Sequence, residues 1–427
     1  MPEPLFTDNA QPKNRCKLSK AEVGLSLHSV RLPDDSEFAL IDHLPQQPAA
    51  FVRGGDGLVG WGEAVRLTAR GPQRMQQLAS AWRELVASTH VIDEVEVPGS
   101  GLVAFGSFAF ADDSDAESVL VVPRVLLGTR DGIRWVTRIA GDDDENFWNE
   151  PGNYSPNEPI NLTDGLQSSD GFMNSVREAI TEISNERVQK VVLARDLVAT
   201  VDNKFDLRTA LKRLANRYPT CWTYSVDGLF GASPELLVRV SHKQVSARVL
   251  AGTAGRGTDP GVDFAISNAL AASHKNITEH RFAVKSLVDE LQKFCSQVDA
   301  DSEPFSLQLP NLWHLASDVH AVLRDDASVL DLAAVLHPTA AVAGTPTLEA
   351  QKLISELEPF DRGRYAGPVG WIGADGDGEW AIALRGALLS DGQLTAYAGC
   401  GIIAESEPEA ELDETELKFK PIREALA

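Results

Sequence analysis

The run YAGCGIIAESEPEAELDETELKFK, residues 397–420, joins a small-residue stretch to an acidic segment in which Glu411, Glu414 and Lys418 lie three and four apart. Those offsets stack side chains on one face of a helix. The face would present two carboxylates and an ammonium beside what reads as a glycine turn at Gly399 and Gly401. Carboxylates placed this way can hold a hard divalent cation such as magnesium, and turn N–H groups can receive an anion. A solvated amphipathic helix with a Glu414–Lys418 surface pair, worth about 0.3 kcal/mol, fits the same residues.

Five further segments carry candidate chemistry. Lys190 opens the apolar run KVVLAR (190–195). A lysine there ordinarily snorkels to the surface; buried among apolar neighbours, it would lose proton affinity and become a usable base. Glu235 follows Ser-Pro and precedes two leucines in FGASPELLVRV (230–240). It reads as an edge-strand charge or as a buried carboxyl whose raised pKa makes it a proton donor. Glu279, in SHKNITEHRFAV (273–284), lies four residues after Lys275. It fits a surface pair, or a third metal-binding carboxylate facing Glu411 and Glu414 from a second element. His337 precedes Pro-Thr at a helix end in LHPTAAVAGTP (336–346), where a lone histidine is ordinarily structural. Arg385 stands alone in an apolar strand, AIALRGALL. An arginine there is not expected to be buried unpaired, and a substrate carboxylate matches its bidentate geometry.

One motif misleads. Gly399 to Ala404 matches a loose G-x-G-x-x-A. The residues after it, up to Ala427, read as one helix and offer no parallel strand or ribose-binding acid, so the dinucleotide reading fails. The chain has no Walker loop and no G-x-S-x-G elbow.

Composition narrows the classes. Of 427 residues, 43% are hydrophobic and 24% charged, which suits a soluble protein with a substantial core. Acidic residues outnumber basic ones by 62 to 39, for a net charge of −23. That balance opposes a nucleic-acid or anionic-membrane surface. A small anionic substrate needs only a local cluster of cations, N–H groups or metal. Cys16, Cys221, Cys295 and Cys400 are scattered, without CxxC or zinc spacing. The opening MPEPLFTDNAQPKNR lacks the apolar core of a signal peptide. Together these features predict free thiols and a cytoplasmic protein.

The elements that must position these residues follow from periodicity. Residues 1–20 read as a polar leader. Residues 21–140 are strand-rich, with apolar runs GLVAFGSFAF and VLVVPRVLLG, alternation in IRWVTRI, and one helix over 72–88. Residues 141–170 have linker composition. From 171 onward, a helix carrying Phe172, Val176, Ile180 and Ile183 leads into a strand over 188–200. A hairpin turns at Asp227-Gly228, a further strand spans 245–253, and a long helix is expected over 260–296. Hairpin-linked strands interleaved with helices predict an α+β architecture dominated by antiparallel pairing. Residues 21–427 are expected to form one domain.

In motif order, KVVLAR, FGASPELL, AGTAGRG, SHKNITEH, LHPTAAVAGTP, DRGRYAGPVGW, the Arg385 strand and AGCGIIAESEPEAELDETELK resemble the chorismate-utilising enzymes, and most specifically the isochorismate synthases. The resemblance covers roughly the last 260 residues; singly the motifs are weak, but eight in order are specific. It implies two large antiparallel sheets packed face to face with helices outside. It implies magnesium held by Glu279 and Glu414, with Glu411 close by, to receive one carboxylate of chorismate. Arg385, Lys418 and N–H groups near Gly399 would meet the other carboxylate, and Thr253 falls among the expected substrate contacts. Lys190 matches the base that activates water for attack at ring carbon 2. Glu235 matches the acid that protonates the hydroxyl leaving ring carbon 4. His337 matches a residue that positions the reacting ring. Ala341 matches a position where isochorismate synthases carry alanine and several relatives threonine. Tyr365, shared with salicylate synthases, keeps pyruvate elimination open. A scaffold that has kept the fold without the activity is the reading from another class. A monomer is expected, and with water as the nucleophile no glutaminase subunit is required. Its product would enter menaquinone or siderophore synthesis, the choice resting with downstream enzymes.

Overall fold

Several strands of this chain stop because the chain changes sheet. The structure is a computed structural model. It describes residues 17–18, 24–33, 38–140, 151–152, 154–202, 204–324 and 327–427, without the side chains of residues 17, 18, 251, 275 and 279. Among the described residues the strands form one sheet of eleven and one of thirteen. Pairing is antiparallel throughout, except between Ser26–Arg31 and His90–Asp93.

Both sheets draw strands from either side of residues 141–170. Val103–Ser107 pairs with Pro368–Gly373 in the first sheet, and Ala49–Arg53 pairs with Trp222–Val226 in the second. The inner faces meet in an aromatic layer that includes Phe51, Phe105, Trp135, Tyr224 and Trp371. This is the face-to-face α+β packing that the family resemblance implies. Helices Arg74–Ser88, His274–Leu291 and Val329–Leu336 cover the outer face of the first sheet. Helices Ser169–Ser184, Leu207–Arg217, Thr347–Leu357 and Pro408–Leu426 cover the second. No helix among the described residues is long and apolar enough to cross a membrane.

Proline marks the crossings. VLVVPRVLLG is two strands, Ser118–Val122 in the first sheet and Val125–Arg130 in the second, divided at Pro123. Pro234 likewise divides Leu229–Ser233 of the second sheet from Leu236–Ser241 of the first. A proline cannot donate to a ladder, so pairing ends there. Arg385 lies not within a strand but between Gly378–Ile382 and Gly386–Ser390, which belong to opposite sheets. Its φ of 52° is a left-handed conformation that turns the chain from one sheet to the other. The crossing is tight: a Cβ on Gly231 would sit 2.6 Å from the Gly386 Cα.

Other expectations are corrected. The AGCG stretch is no turn; it lies inside the strand Gln393–Ile402, with Gly399 opposite Ala194. The long helix over 260–296 is two helices, Pro260–Ala272 and His274–Leu291. Ser273 separates them, because its hydroxyl accepts the Asn276 N–H at 3.3 Å and caps the second. A strand, Cys295–Ala300, already begins within the range given to the helix. GLVAFGSFAF forms a strand only over Val103–Ser107. Of the linker-like segment, residues 141–150 and 153 lie outside the described residues. Beyond them, Tyr154, Ile160 and Leu162 pack on the core beneath the C-terminal helix. Of the leader, residues 17–18 pair with Leu67 and Thr68, and residues 1–16 and 19–20 lie outside the described residues. Cys221, Cys295 and Cys400 are buried free thiols.

Candidate active site

Lys190 is the first residue of the strand Lys190–Thr200, where apolar residues drive the chain into the sheet and the lysine stays half-buried at its entrance. That strand pairs along most of its length with Gln393–Ile402. The C-terminal helix, begun by Pro408 in its first turn, lies against the pair. Arg195 fastens the helix to the lysine strand. It is 1% exposed, donates to Glu416 at 2.7 Å and to Asp164 at 2.8 Å, and lies over the Phe419 ring. The helix face bearing Glu411, Glu414 and Lys418 is thereby held facing the same space as Lys190.

That space is a cavity of about 240 Å³. Lys190, Glu235 and Ala341 line it, as do Thr253, Tyr365 and Arg385. Gly399, Glu411, Glu414 and Lys418 complete the expected set that it brings together. His337 is not brought there. His337 caps the end of Val329–Leu336; its Nε2 donates to the Phe110 carbonyl at 3.0 Å, and its ring packs edge-on against Phe110. It borders a neighbouring cavity, of about 250 Å³, which Glu235 and Ala341 also border. Burial lowers the His337 pKa to about 3, so the ring is neutral. Glu279 lies on the helix His274–Leu291, which sends Asn276 to the active-site cavity; the Glu279 side chain lies outside the described residues.

The electrostatics separate the roles. Glu235 is 5% exposed at its sheet crossing. Burial lifts its carboxyl to about 8, against the opposing pull of Lys190, Arg385 and Lys418. It is therefore protonated at neutral pH and able to donate. Arg385 donates from Nη2 to His314 Nε2 at 3.1 Å, while its Nη1 is buried with no hydrogen-bond partner among the described residues. A buried guanidinium with an orphan donor on a cavity wall suits a carboxylate ligand.

Sequence reasoning missed His314. It lies 5% exposed in the strand Leu312–Leu323 and lines the cavity. Its Nε2 accepts from Arg385, and its Nδ1 faces the Gly252 carbonyl at 3.3 Å and the Thr253 hydroxyl at 3.2 Å. This pattern assigns the proton to Nδ1. Burial and the nearby Arg385 and Lys418 charges keep the ring neutral. The available signal was a histidine set in the apolar run LWHLA.

The Glu414–Lys418 pair forms, at 2.6 Å, but it lines a cavity rather than open solvent. Lys418 also donates to the Gly399 carbonyl at 2.7 Å. Glu411 accepts from Ser406 at 2.7 Å, and burial, reinforced by the neighbouring Glu414 charge, raises its pKa. Two carboxylates one turn apart, partly desolvated and repelling each other, are an oxygen donor set that fits a hard cation. Among the described residues no three His, Cys, Asp or Glu side chains cluster at metal-binding spacing.

The model of the family described as chorismate binding enzyme matches residues 36–427. The chain belongs to that family, and it is an enzyme. Within the family it is most like the isochorismate synthases. Isochorismate synthase MenF of Bacillus subtilis (strain 168) is 30% identical over 402 residues, which cover 86% of this chain and 85% of that protein. Isochorismate synthase EntC of Escherichia coli (strain K12) is 37% identical over 253 residues, covering 58% of this chain and 65% of that protein. The structure of the menaquinone-specific isochorismate synthase MenF from Escherichia coli superposes with a TM-score of 0.77, covering 98% of this chain and 97% of that one. At 24% identity, that likeness speaks for the fold.

Proposed function

We propose that the chain is a magnesium-dependent isochorismate synthase that converts chorismate to isochorismate. The observation that carries this reading is that Lys190 and the protonated carboxyl of Glu235 border one cavity on which Arg385 presents an unpartnered donor. Chorismate bears two carboxylates, and the cavity offers a cationic and an acidic region to sort them. Arg385 and Lys418 meet one carboxylate directly. Glu411 and Glu414, with Glu279, are the residues that would hold magnesium, which when bound supplies positive charge for the other carboxylate.

Lys190 takes a proton from the water that attacks ring carbon 2. A new carbon–oxygen bond forms there and the ring double bonds shift. The bond from ring carbon 4 to its hydroxyl breaks, and Glu235 donates its proton so that water leaves. One water enters and one departs. Lys190 ends the step protonated and Glu235 ionised, so proton exchange must restore both before the next turnover. Ala341 leaves room for the attacking water. His314 holds Arg385 in place by accepting from its Nη2.

Tyr365 supports a second reading, salicylate synthase. Its ring is 5% exposed, stacks on Tyr397 at 5.0 Å and borders the cavity, where it could serve elimination of pyruvate. Ala341 weighs against that reading. A product assay separates the two. Purified protein is incubated with chorismate and magnesium, with an EDTA control, and the products are resolved by chromatography. Isochorismate without pyruvate is the expected result. Salicylate with pyruvate would establish the second reading, and folded protein that left chorismate unconsumed would overturn both.

A further inference from the structure

The outer edge of the lysine strand has a gap in its pairing. Thr345 and Gly344 pair with Lys190 and Val191, and Thr163 and Asp164 pair with Val198 and Leu197. Among the described residues, no strand adjoins the edge between those short partners. The Val192 N–H still reaches the Ala343 carbonyl at 2.8 Å. The Val192 carbonyl and the Ala194 N–H are served by side chains instead. Arg362 Nη2 donates to the Val192 carbonyl at 2.7 Å, and Glu358 Oε1 accepts from the Ala194 N–H at 2.8 Å.

Glu358 and Arg362 are also bonded to each other. Arg362 Nε and Nη2 donate to the two carboxylate oxygens at 2.8 and 2.5 Å. Their side chains are 1% and 3% exposed. Arg362 Nη1 reaches the Val342 carbonyl at 3.0 Å, next to Ala341, and the guanidinium lies over the Phe110 ring. One planar guanidinium thus touches the strand of Lys190 and the turn of Ala341 at once. Arg362 also borders the cavity.

A fully buried ion pair is a poor device for stability, because desolvating both charges offsets much of their attraction, and apolar pairs of similar volume commonly serve as well. Its particular property is geometry: the fork has fixed directions that a lysine or an apolar side chain lacks. We infer that the Glu358–Arg362 pair is a positioning element for the hydration step, standing in for a missing strand on the edge of Lys190–Thr200 and setting the distance between Lys190 and the Ala341 turn. The inference rests on the proposed hydration chemistry for its catalytic consequence, and on hydrogen bonds alone for its structural one.

The test uses Arg362→Lys and the double replacement Glu358→Met with Arg362→Met. The single variant keeps a charge but loses the fork. The double variant removes both charges, which guards against unfolding by a lone buried ion. Amide hydrogen exchange over residues 190–195 and 340–343 reads the clamp without reference to activity. The expected result is exchange at least tenfold faster there than in wild type, with other strands unchanged. With chorismate, kcat is expected to fall roughly a hundredfold in the double variant, the scale of an ångström misplacement of a reacting group. KM is expected to stay within about threefold, because Arg385 and Lys418 are untouched. Arg362→Lys should fall between wild type and the double variant. A folded double variant with unchanged exchange in both segments would overturn the inference. So would faster exchange with unchanged kcat, or a loss carried by KM alone. Were wild-type protein to form no isochorismate, the hydration reading would fall, and the exchange measurement would still decide the clamp.

Discussion

Replacing Glu235 with glutamine keeps the shape of the side chain and removes its transferable proton. Burial lifts this carboxyl from 4.5 to about 8. About nine-tenths of it is then protonated at pH 7 and about one-tenth at pH 9. The proton-bearing form is the working one, so the ratio of wild-type kcat to that of Glu235→Gln, in which the titration of every other group cancels, should be level below about pH 7 and fall nearly tenfold per unit well above pH 8. Proton donation by a positioned group contributes ~10²–10⁴-fold, or roughly 3–5 kcal/mol of barrier, and the variant should lose a factor in that range. Stability should move the other way. Between 4.5 and about 8 the unfolded chain has released a proton that the folded chain retains. The stability contributed by this group is therefore complete below 4.5 and lost as pH rises through 8, at ~1.4 kcal/mol per unit and roughly 5 kcal/mol in all. Urea denaturation at about pH 6 and about pH 9 should show a variant that is slower yet more stable than wild type, with the gain larger at the higher pH. A variant keeping more than about a tenth of wild-type kcat would refute the acid assignment. A ratio of wild-type to variant kcat that stays flat from about pH 6 to about pH 10 would refute the desolvation argument beneath it.

Lys190→Ala should lower kcat by ~10²-fold or more while calorimetric binding of chorismate changes little, and unchanged turnover would remove Lys190 from the base role. Ala341→Thr should crowd the attacking water and slow isochorismate formation by about tenfold, read from product appearance at saturating chorismate. Glu414→Gln should weaken magnesium binding by about an order of magnitude in a metal titration, because a neutral amide replaces a charged oxygen donor. An unchanged titration would detach Glu414 from the metal.

Much of the site was legible because it is written in short segments. Glu411, Glu414 and Lys418 share a helical face, and the helix Pro408–Leu426 presents that face to the cavity. Lys190 opens a strand in both the sequence reading and the structure. Asp227-Gly228 is the turn its residue types announce, with φ of 51° and 80° suited to a hairpin. Where local pattern ran across a sheet crossing, it misled. AIALRGALL looks like one strand because both halves are apolar, yet the halves belong to different sheets and Arg385 is the hinge between them. A motif surrounds His337, whereas the one local signal of His314, its place in the apolar run LWHLA, belongs equally to a core histidine.

The chain by itself determined its antiparallel α+β character, its acidic surface balance and the residue types able to serve as base, acid and carboxylate ligands. Those properties follow from periodicity, turn chemistry and side-chain composition, which act over a few residues. Only the tertiary structure decided which of them share a space. Glu235 and Lys190 border one cavity because strands far apart in the chain pair in the same sheets. Desolvation, which makes Glu235 an acid at neutral pH, is a property of everything packed around it. The same is true of the orphan donor on Arg385 and of the ion pair that fills an empty strand edge: each is defined by partners whose positions no local pattern records.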